Sequence, residues 1–214
     1  IILIWTQKMS ISKFQFAVYQ KALPKLVCDR IINAGLRAKG DVATTFSTSS
    51  TNLNDPDKLK ELYSKRDSNI SWLREPWVCK AITPYIEKAR EEFEWNYEIN
   101  KIESCQFTTY YPGQFYDWHQ DSFVDRKIIE KYKGNNRKIS ASIILNDPSE
   151  YKGGDLEFHM RHKERPEDLR IEKNPFNDQG TIVIFPSFVY HRVLPVTQGV
   201  RYSLVMWIQG PDWR

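Results

Sequence analysis

The sequence predicts an α+β fold with a jelly-roll core, because three of its features agree. Helix-type periodicity is confined to the first 95 residues, and short β-type runs separated by turn signals fill residues 99–209. Helices that come first and strands that come afterwards, without alternating along the chain, favour an α+β fold over an α/β fold with a parallel sheet. Aromatic residues are also abundant, with 7 Trp, 11 Tyr and 11 Phe, which suits strands and ring-lined pockets.

The first segment, residues 13–95, is predicted to contribute a strand and two helices. Residues 13–23 have the composition of a strand. Residues 24–40 are predicted to form a helix that begins near Pro24 and stops at Gly40, with apolar residues at helical spacing between them.

A long loop and a second helical region follow. Residues 41–57 are rich in Ser and Thr, so we predict a long loop, and loops of this length in compact domains are usually functional lids or disordered. Residues 71–95 are predicted to be helical, with interruptions near Pro76 and Pro84. We expect the helices to cover one outer face of the β core.

The β core is predicted from runs rich in β-branched and aromatic residues, each bounded by Gly, Pro, Asn or Asp. These runs are KIESCQFTTYY (101–111), KISASIILND (138–147), GDLEFHM (154–160), GTIVIFPSFVYHRV (180–193) and RYSLVMWIQ (201–209). Many short strands with regular turns are typical of a sandwich or jelly roll.

Length and charge limit the organisation and the partners. A chain of 214 residues suits one domain, which we place at residues 9–214, with residues 1–8 as a tag or upstream extension. The net charge of +4 is too small to indicate a nucleic-acid-binding surface. The initial apolar run is too short for a signal peptide or a membrane span, and the three Cys are not spaced as metal ligands. We therefore expect a cytoplasmic protein that does not bind membranes.

The segment YYPGQFYDWHQD contains a His-x-Asp pair, His119 and Asp121. Residues two apart in a strand point to the same side, so an imidazole nitrogen and a carboxylate oxygen could hold one metal ion. A solvent-exposed pair at the end of a strand is the alternative.

A mononuclear site needs a third ligand, and three other histidines are available. His159 and His162 lie in a charged stretch, whereas His191 directly follows the most apolar run of the chain. In a jelly roll that strand returns beside the earlier ones, which favours His191. Two imidazoles and a carboxylate suit Fe(II), and zinc or manganese would also fit them.

Arg201 opens the last β run, ten residues after His191. We expect the short connection between them to fold the two strands into an antiparallel pair, which would place Arg201 near the metal. A buried Arg needs an anion, and its planar fork suits a carboxylate, with the Ser203 hydroxyl on the same face. An ion pair with a protein carboxylate is the alternative.

Residues 100–209 resemble the Fe(II)- and 2-oxoglutarate-dependent dioxygenases. Within that family they are most similar to the prolyl 4-hydroxylase-like, or PKHD-type, hydroxylases. The resemblance is carried by YYPGQFYDWHQD, SIILNDPSEYKGGDLEF and GTIVIFPSFVYHRVLPVTQGVRYSLVMWI, and by RDSNISWL at 66–73. It implies a double-stranded β-helix, or cupin-like, core with the N-terminal helices packed on one face.

The resemblance also implies roles for particular residues. His119, Asp121 and His191 would bind the metal, and Arg201 would hold the distal carboxylate of 2-oxoglutarate. Tyr110 would help to bind that carboxylate, with Tyr111 as the alternative because the register is uncertain by one residue, and Ser203 would assist. The implied cofactors are Fe(II), 2-oxoglutarate as co-substrate, O₂, and ascorbate as a reductant.

The implied reaction is hydroxylation of a C–H bond, with succinate and CO₂ as co-products. A peptidyl prolyl residue, or another amino-acid residue, is the substrate we expect first. Hydroxylation of a free amino acid or another small molecule, and demethylation of a nucleobase, remain alternatives on the same scaffold. A non-catalytic jelly-roll binding module is the third alternative. Candidates for the lining of the site are Tyr116, Trp118, Phe185 and Trp207.

Overall fold

The structure is a computed structural model that describes residues 16–38, 40–42, 64–161, 169–173 and 177–213. It contains helices α1 (Lys25–Arg37), α2 (Pro76–Glu92) and α3 (Arg126–Lys131). None of these helices has the length and apolar character needed to cross a bilayer.

Fifteen strands are present in the described residues, and most belong to two sheets that face each other. In chain order they are β1 (Ala17–Tyr19), β2 (Gly40–Val42), β3 (Arg66–Asp67), β4 (Asn69–Leu73), β5 (Lys101–Ile102), β6 (Cys105–Tyr110), β7 (Phe115–His119), β8 (Asn135–Ile144), β9 (Tyr151–Gly153), β10 (Leu156–Arg161), β11 (Leu169–Lys173), β12 (Ile182–Pro186), β13 (His191–Val193), β14 (Val196–Gly199) and β15 (Arg201–Pro211).

The major sheet has the strand order β1-β12-β8-β15-β6-β4-β2, with β5 paired to β15. Its outer face is apolar and is covered by α1 and α2, as predicted. Because side chains alternate along a strand, β8 points every second residue toward the helices. Ile139, Ala141 and Ile143 thus join Cys28 of α1 and Ile82 of α2 in one buried core.

The minor sheet, with the order β11-β10-β13-β7-β3, faces the inner side of the major sheet. A second apolar cluster fills part of the space between the sheets, and it includes Phe158, Phe185 and Val193. The remainder of that space is the pocket described below. Antiparallel pairing and the two facing sheets confirm the predicted α+β jelly-roll architecture.

The N-terminal predictions need three corrections. Helix α1 ends at Arg37, and Gly40 opens β2 instead of stopping the helix. Residues 71–73, predicted as the start of the second helical region, belong to β4 instead, because β4 fills the position between β2 and β6 in the major sheet. Pro84 does not interrupt α2, whose buried apolar face continues across it. The predicted loop at 41–57 falls largely outside the described residues.

The expected antiparallel pairing of the His191 and Arg201 strands is wrong. Strand β13 pairs with β10 and β7 in the minor sheet, whereas β15 pairs with β6 and β8 in the major sheet. The connection between them contains β14, which pairs with β9 in a separate small sheet. His191 and Arg201 therefore belong to opposite walls of the sandwich.

Gly35 of α1 provides a test of how closely this helix packs on the major sheet. A Cβ at Gly35 would overlap ring carbons of Phe107, which is itself buried and stacked on Tyr202. Gly35→Ala should gain about 1 kcal/mol of helix propensity but lose more to overpacking, so we expect a net destabilisation of about 1–3 kcal/mol. Denaturant unfolding measures this value. Combining it with Phe107→Leu should recover part of the loss, and an equal loss in both backgrounds would contradict the contact.

Candidate metal and 2-oxoglutarate site

His119, Asp121 and His191 lie together between the two sheets. His119 ends β7, Asp121 follows in the turn beyond it, and His191 begins β13. The pairing of β13 with β7 sets His191 directly opposite His119. One ligand atom from each of the three residues lies within 4.8 Å of the others. The third ligand expected from the sequence is thus His191, while His159 lies elsewhere and His162 is outside the described residues.

Backbone hydrogen bonds fix the tautomer of both imidazoles. Nδ1 of His119 lies 2.7 Å from the carbonyl oxygen of Asp117, and Nδ1 of His191 lies 2.9 Å from that of Val189. A carbonyl oxygen can only accept, so Nδ1 carries the proton in each ring. Each neutral imidazole then has its free lone pair on Nε2, which is the arrangement required of a metal ligand.

Both Nε2 atoms face the Asp121 carboxylate. The distances are 3.9 Å from His119 Nε2 to Oδ1 and 3.6 Å from His191 Nε2 to Oδ2, too long for hydrogen bonds. Two lone pairs and a carboxylate that converge in a buried space repel one another unless a cation lies between them. The donor set therefore fits a divalent metal ion.

Electrostatics keep these groups in the ligand form. Burial, and then the neighbouring His191, lower the pKa of His119 well below its usual value, although Asp121 opposes them. Burial works against ionisation of Asp121, but His191, His119, Arg137 and a hydrogen bond from Ser140 outweigh it, so the Asp121 pKa is lowered. At neutral pH His119 is uncharged and Asp121 is ionised.

Stacking holds the His119 ring in place. The ring centroids of Tyr116 and His119 lie 3.4 Å apart, with an angle of 9° between the ring planes. The Arg66 guanidinium in turn lies 4.3 Å from the centroid of the Tyr116 ring. Arg66 is buried and donates from Nε to the Ser68 hydroxyl. This contact gives RDSNISWL a structural role, since β3 and β4 place Arg66 at the wall of the pocket.

Arg201 lies in the interior at the start of β15, only 2% exposed. Its Nε and Nη1 atoms have no hydrogen-bond partner among the described residues. An ion pair of these two atoms with a protein carboxylate, the alternative considered from the sequence, is thus absent from that part of the chain. A buried guanidinium with unsatisfied donors requires an anionic ligand, and a carboxylate matches its geometry.

Gly154 and Tyr110 pack closely around the Arg201 side chain. Gly154 has a positive φ of 68°, and a Cβ there would lie 2.5 Å from Cδ of Arg201. The Tyr110 ring lies 5.5 Å from the guanidinium, and β6–β15 pairing sets Tyr110 directly across from Arg201. Tyr110 is buried and lines the pocket, whereas Tyr111 is 46% exposed. Ser203 is buried and lines the same pocket.

One pocket contains the metal-ligand candidates together with Tyr110 and Ser203, and encloses about 420 Å³ including its open mouth. Of the predicted lining residues, Tyr116, Phe185 and Trp207 contribute to it. Trp118 instead stacks on His159 at 3.9 Å, with the Arg192 guanidinium above it. The sequence reasoning missed several lining residues, namely Arg66, Gln106, Ser142, Leu156, Val193 and Val205.

A signal for some of the missed residues exists in KISASIIL. Serines alternate with apolar residues in this run, so one face of a buried strand is polar. Ser140 and Ser142 are buried on the face of β8 that looks toward the site, and Ser140 donates to Asp121. Polar side chains at alternate positions of a core strand indicate a site on that face.

Comparisons with known proteins agree with this geometry. The model of the 2OG-Fe(II) oxygenase superfamily matches residues 105–209. A PKHD-type hydroxylase of Synechococcus sp. (strain JA-2-3B'a(2-13)) is 30% identical over 109 residues, which are 51% of this chain and 44% of the relative. A PKHD-type hydroxylase of Teredinibacter turnerae is 33% identical over 114 residues, 52% of this chain and 46% of the relative. The chain thus matches less than half the length of these relatives.

Solved structures share the fold over most of their length. A Pseudomonas putida prolyl-4-hydroxylase superposes with a TM-score of 0.62 at 21% identity, covering 93% of this chain and 94% of the other. A viral collagen prolyl hydroxylase from Paramecium Bursaria Chlorella virus-1 gives 0.60 at 19% identity, covering 91% and 96%. The family's cofactors are Fe(II), 2-oxoglutarate and O₂, and the donor set of His119, Asp121 and His191 fits the metal. Residues 105–209 of this chain form a domain of the 2OG-Fe(II) oxygenase superfamily.

Proposed function

We propose that this protein is an Fe(II)- and 2-oxoglutarate-dependent hydroxylase of a peptidyl residue, with proline as the first candidate. The observation that carries the metal assignment is the convergence of two imidazole lone pairs on a buried carboxylate. His119, Asp121 and His191 are the proposed ligands. This set leaves coordination positions open for a co-substrate, as oxygenase chemistry requires.

Bound Fe(II) would supply the oxidative chemistry, in which O₂ and 2-oxoglutarate are converted to succinate and CO₂ while a substrate C–H bond is hydroxylated. The chain's own residues have binding and exclusion tasks. Arg201 would pair with the carboxylate of 2-oxoglutarate remote from the metal, helped by the hydroxyls of Tyr110 and Ser203. The aromatic wall formed by Tyr116, Phe185 and Trp207 would exclude water from the reacting atoms.

The substrate side of the pocket favours a peptide. Trp207 lines the pocket, and its indole N–H is buried without an acceptor among the described residues. A peptide carbonyl could accept from it. The guanidinium of Arg137 stacks on Trp207 at 3.6 Å, but its charge is paired with Glu103 at 2.6 Å, so Arg66 is the cation of the pocket lining. A cation on the lining suits a carbonyl-rich substrate better than an apolar one.

The relatives point the same way without deciding the substrate. One solved neighbour, at 17% identity and a TM-score of 0.56, is a Trichoplax adhaerens prolyl hydroxylase in complex with a hypoxia inducible factor peptide fragment. Hydroxylation of a free amino acid or other small molecule remains the second candidate, because the same metal and co-substrate groups would serve it. A nucleobase substrate is disfavoured by the net charge of +4. The cytoplasmic setting expected from the sequence stays a prediction.

The test is succinate release from 2-oxoglutarate in the presence of Fe(II), ascorbate and O₂. Proline-bearing peptides, the same peptides with alanine in place of proline, and free amino acids are compared. We expect succinate above the uncoupled background with a proline peptide, together with a mass gain of one oxygen atom on that peptide. Turnover of the alanine peptides at the same rate would exclude prolyl specificity, and a lack of turnover with every peptide while a free amino acid is hydroxylated would favour the second candidate.

A further inference from the structure

Ser140 is a buried hydroxyl that the proposed reaction does not use directly. It lies in the middle of β8, opposite Phe185 on one side and Trp207 on the other, and is fully buried. Its Oγ lies 2.7 Å from Oδ2 of Asp121 and 2.9 Å from Oγ of Ser187, which is also fully buried. Among the described residues, no other side chain donates a hydrogen bond to Asp121.

The direction of these hydrogen bonds follows from counting protons. As a ligand to a dication, Asp121 is ionised and can only accept, so the single Ser140 proton must point to Oδ2. Ser140 Oγ can then take part in its contact with Ser187 only as an acceptor. The Ser187 hydroxyl is therefore the donor, and the chain of hydrogen bonds runs from Ser187 through Ser140 to Asp121.

Backbone hydrogen bonds hold this chain in place. The carbonyl oxygen of Ser187 accepts from the N–H groups of Asp121 at 2.9 Å and Ser122 at 3.0 Å. The N–H of Ser187 donates to the carbonyl oxygen of Lys138 at 2.9 Å, two residues before Ser140. Asp121, β8 and the turn that leads to His191 are thus tied together at Ser187.

We propose that Ser140, oriented by Ser187, is a positioning residue that makes Asp121 a ligand through one oxygen. The hydrogen bond takes one lone pair of Oδ2, which also lies 3.6 Å from His191 Nε2, and fixes the plane of the carboxylate. This leaves Oδ1, 3.9 Å from His119 Nε2, as the oxygen without a hydrogen bond from Ser140. This inference rests on the proposed metal site. Removing a residue that donates a hydrogen bond to a metal ligand typically weakens metal binding by about 10- to 100-fold.

The experiment is a titration of the metal-free protein with Co(II), with competition by a chelator for the affinity and visible absorption for the coordination. Ser140→Ala should bind Co(II) about 10- to 100-fold more weakly. Its absorption bands should also change, because a carboxylate with both oxygens free can rotate or bind through both. Ser187→Ala keeps the hydrogen bond from Ser140 to Asp121, so its loss of Co(II) affinity should be smaller. If Ser140→Ala does not fold, Ser187→Ala provides the test instead.

Ser71→Ala is the matched control. Ser71 is also a buried strand serine whose hydroxyl donates, at 2.8 Å to the carbonyl oxygen of Gly35, but on the helix side of the major sheet. It should bind Co(II) with the affinity and spectrum of the unmodified protein. Wild-type affinity and spectrum in both Ser140→Ala and Ser187→Ala would overturn the positioning role, as would an equal loss in Ser71→Ala.

The same titration separates this inference from the proposed function. If the unmodified protein binds Co(II) and His191→Ala does not, the metal site stands, and the serine variants alone decide the role of Ser140. If the unmodified protein and His191→Ala bind Co(II) equally, or neither binds it, the metal site itself is wrong and the role of Ser140 falls with it.

Discussion

Asp121→Ala is expected to eliminate metal-dependent turnover of 2-oxoglutarate while leaving the fold intact. The substitution removes the one anionic group of the candidate ligand set and leaves two neutral imidazoles for a dication. The loss of metal affinity should exceed the roughly 100-fold loss that follows removal of a residue that only hydrogen-bonds a metal ligand. Because the carboxylate is buried between two lone pairs, its removal should not destabilise the metal-free protein.

Thermal unfolding with and without a divalent metal measures both parts of this expectation. A ligand that binds only the folded state stabilises it by about 2.7 kcal/mol at 100 times its dissociation constant, so the unmodified protein should melt at a higher temperature when metal is added. Asp121→Ala should show no such rise. Asp117→Asn is the matched control, because its side chain is exposed and only its backbone carbonyl contacts His119. A metal-dependent rise retained in Asp121→Ala would exclude Asp121 as a ligand.

Arg201→Lys is expected to weaken 2-oxoglutarate binding by about ten- to hundred-fold. Lysine keeps the positive charge but replaces a planar, two-pronged donor with a single ammonium group. The loss of one charge-assisted hydrogen bond in a closed site costs about 1.5–3 kcal/mol, which corresponds to that change in affinity. Folding should be less affected, because the Nε and Nη1 donors have no partner among the described residues.

The measurement is the Michaelis constant for 2-oxoglutarate, accompanied by the metal affinity of the same variant. We expect the former to rise and the latter to stay unchanged. Arg192→Lys is a suitable control, since Arg192 belongs to β13 but pairs with Glu157 at 2.8 Å. An unchanged Michaelis constant in Arg201→Lys would assign Arg201 to the fold instead of the co-substrate.

Local patterns in the sequence predicted the β core and the three residues that lie together as candidate metal ligands. His119, Asp121 and His191 are found together, although for a different reason than the one given. The His-x-Asp pair does not lie within one extended strand, because β7 ends at His119 and the turn beyond it brings Asp121 back. A hydrogen bond from Asp121 to the Ser187 carbonyl oxygen holds this turn, and residue spacing cannot reveal a contact across 66 positions.

Sheet membership was the property that the sequence could not reveal. The connection after His191 has the length of a hairpin, yet it crosses from the minor to the major sheet because β14 pairs with β9 instead. Residues 71–73 were included in the second predicted helical region, 71–95, but they lie in β4. Their pairing with β6 overrides that local preference, as tertiary contacts commonly do for short segments.

We propose that a metal held by His119, Asp121 and His191 and a 2-oxoglutarate held by Arg201 lie together between the two sheets. The most direct test of this claim is calorimetric titration of 2-oxoglutarate into the anaerobic protein, with and without Fe(II). We expect one 2-oxoglutarate per chain when Fe(II) is present, much weaker binding without it, and loss of the metal-dependent part in Asp121→Ala. Binding that is equally tight without metal, or no binding in either condition, would contradict the claim.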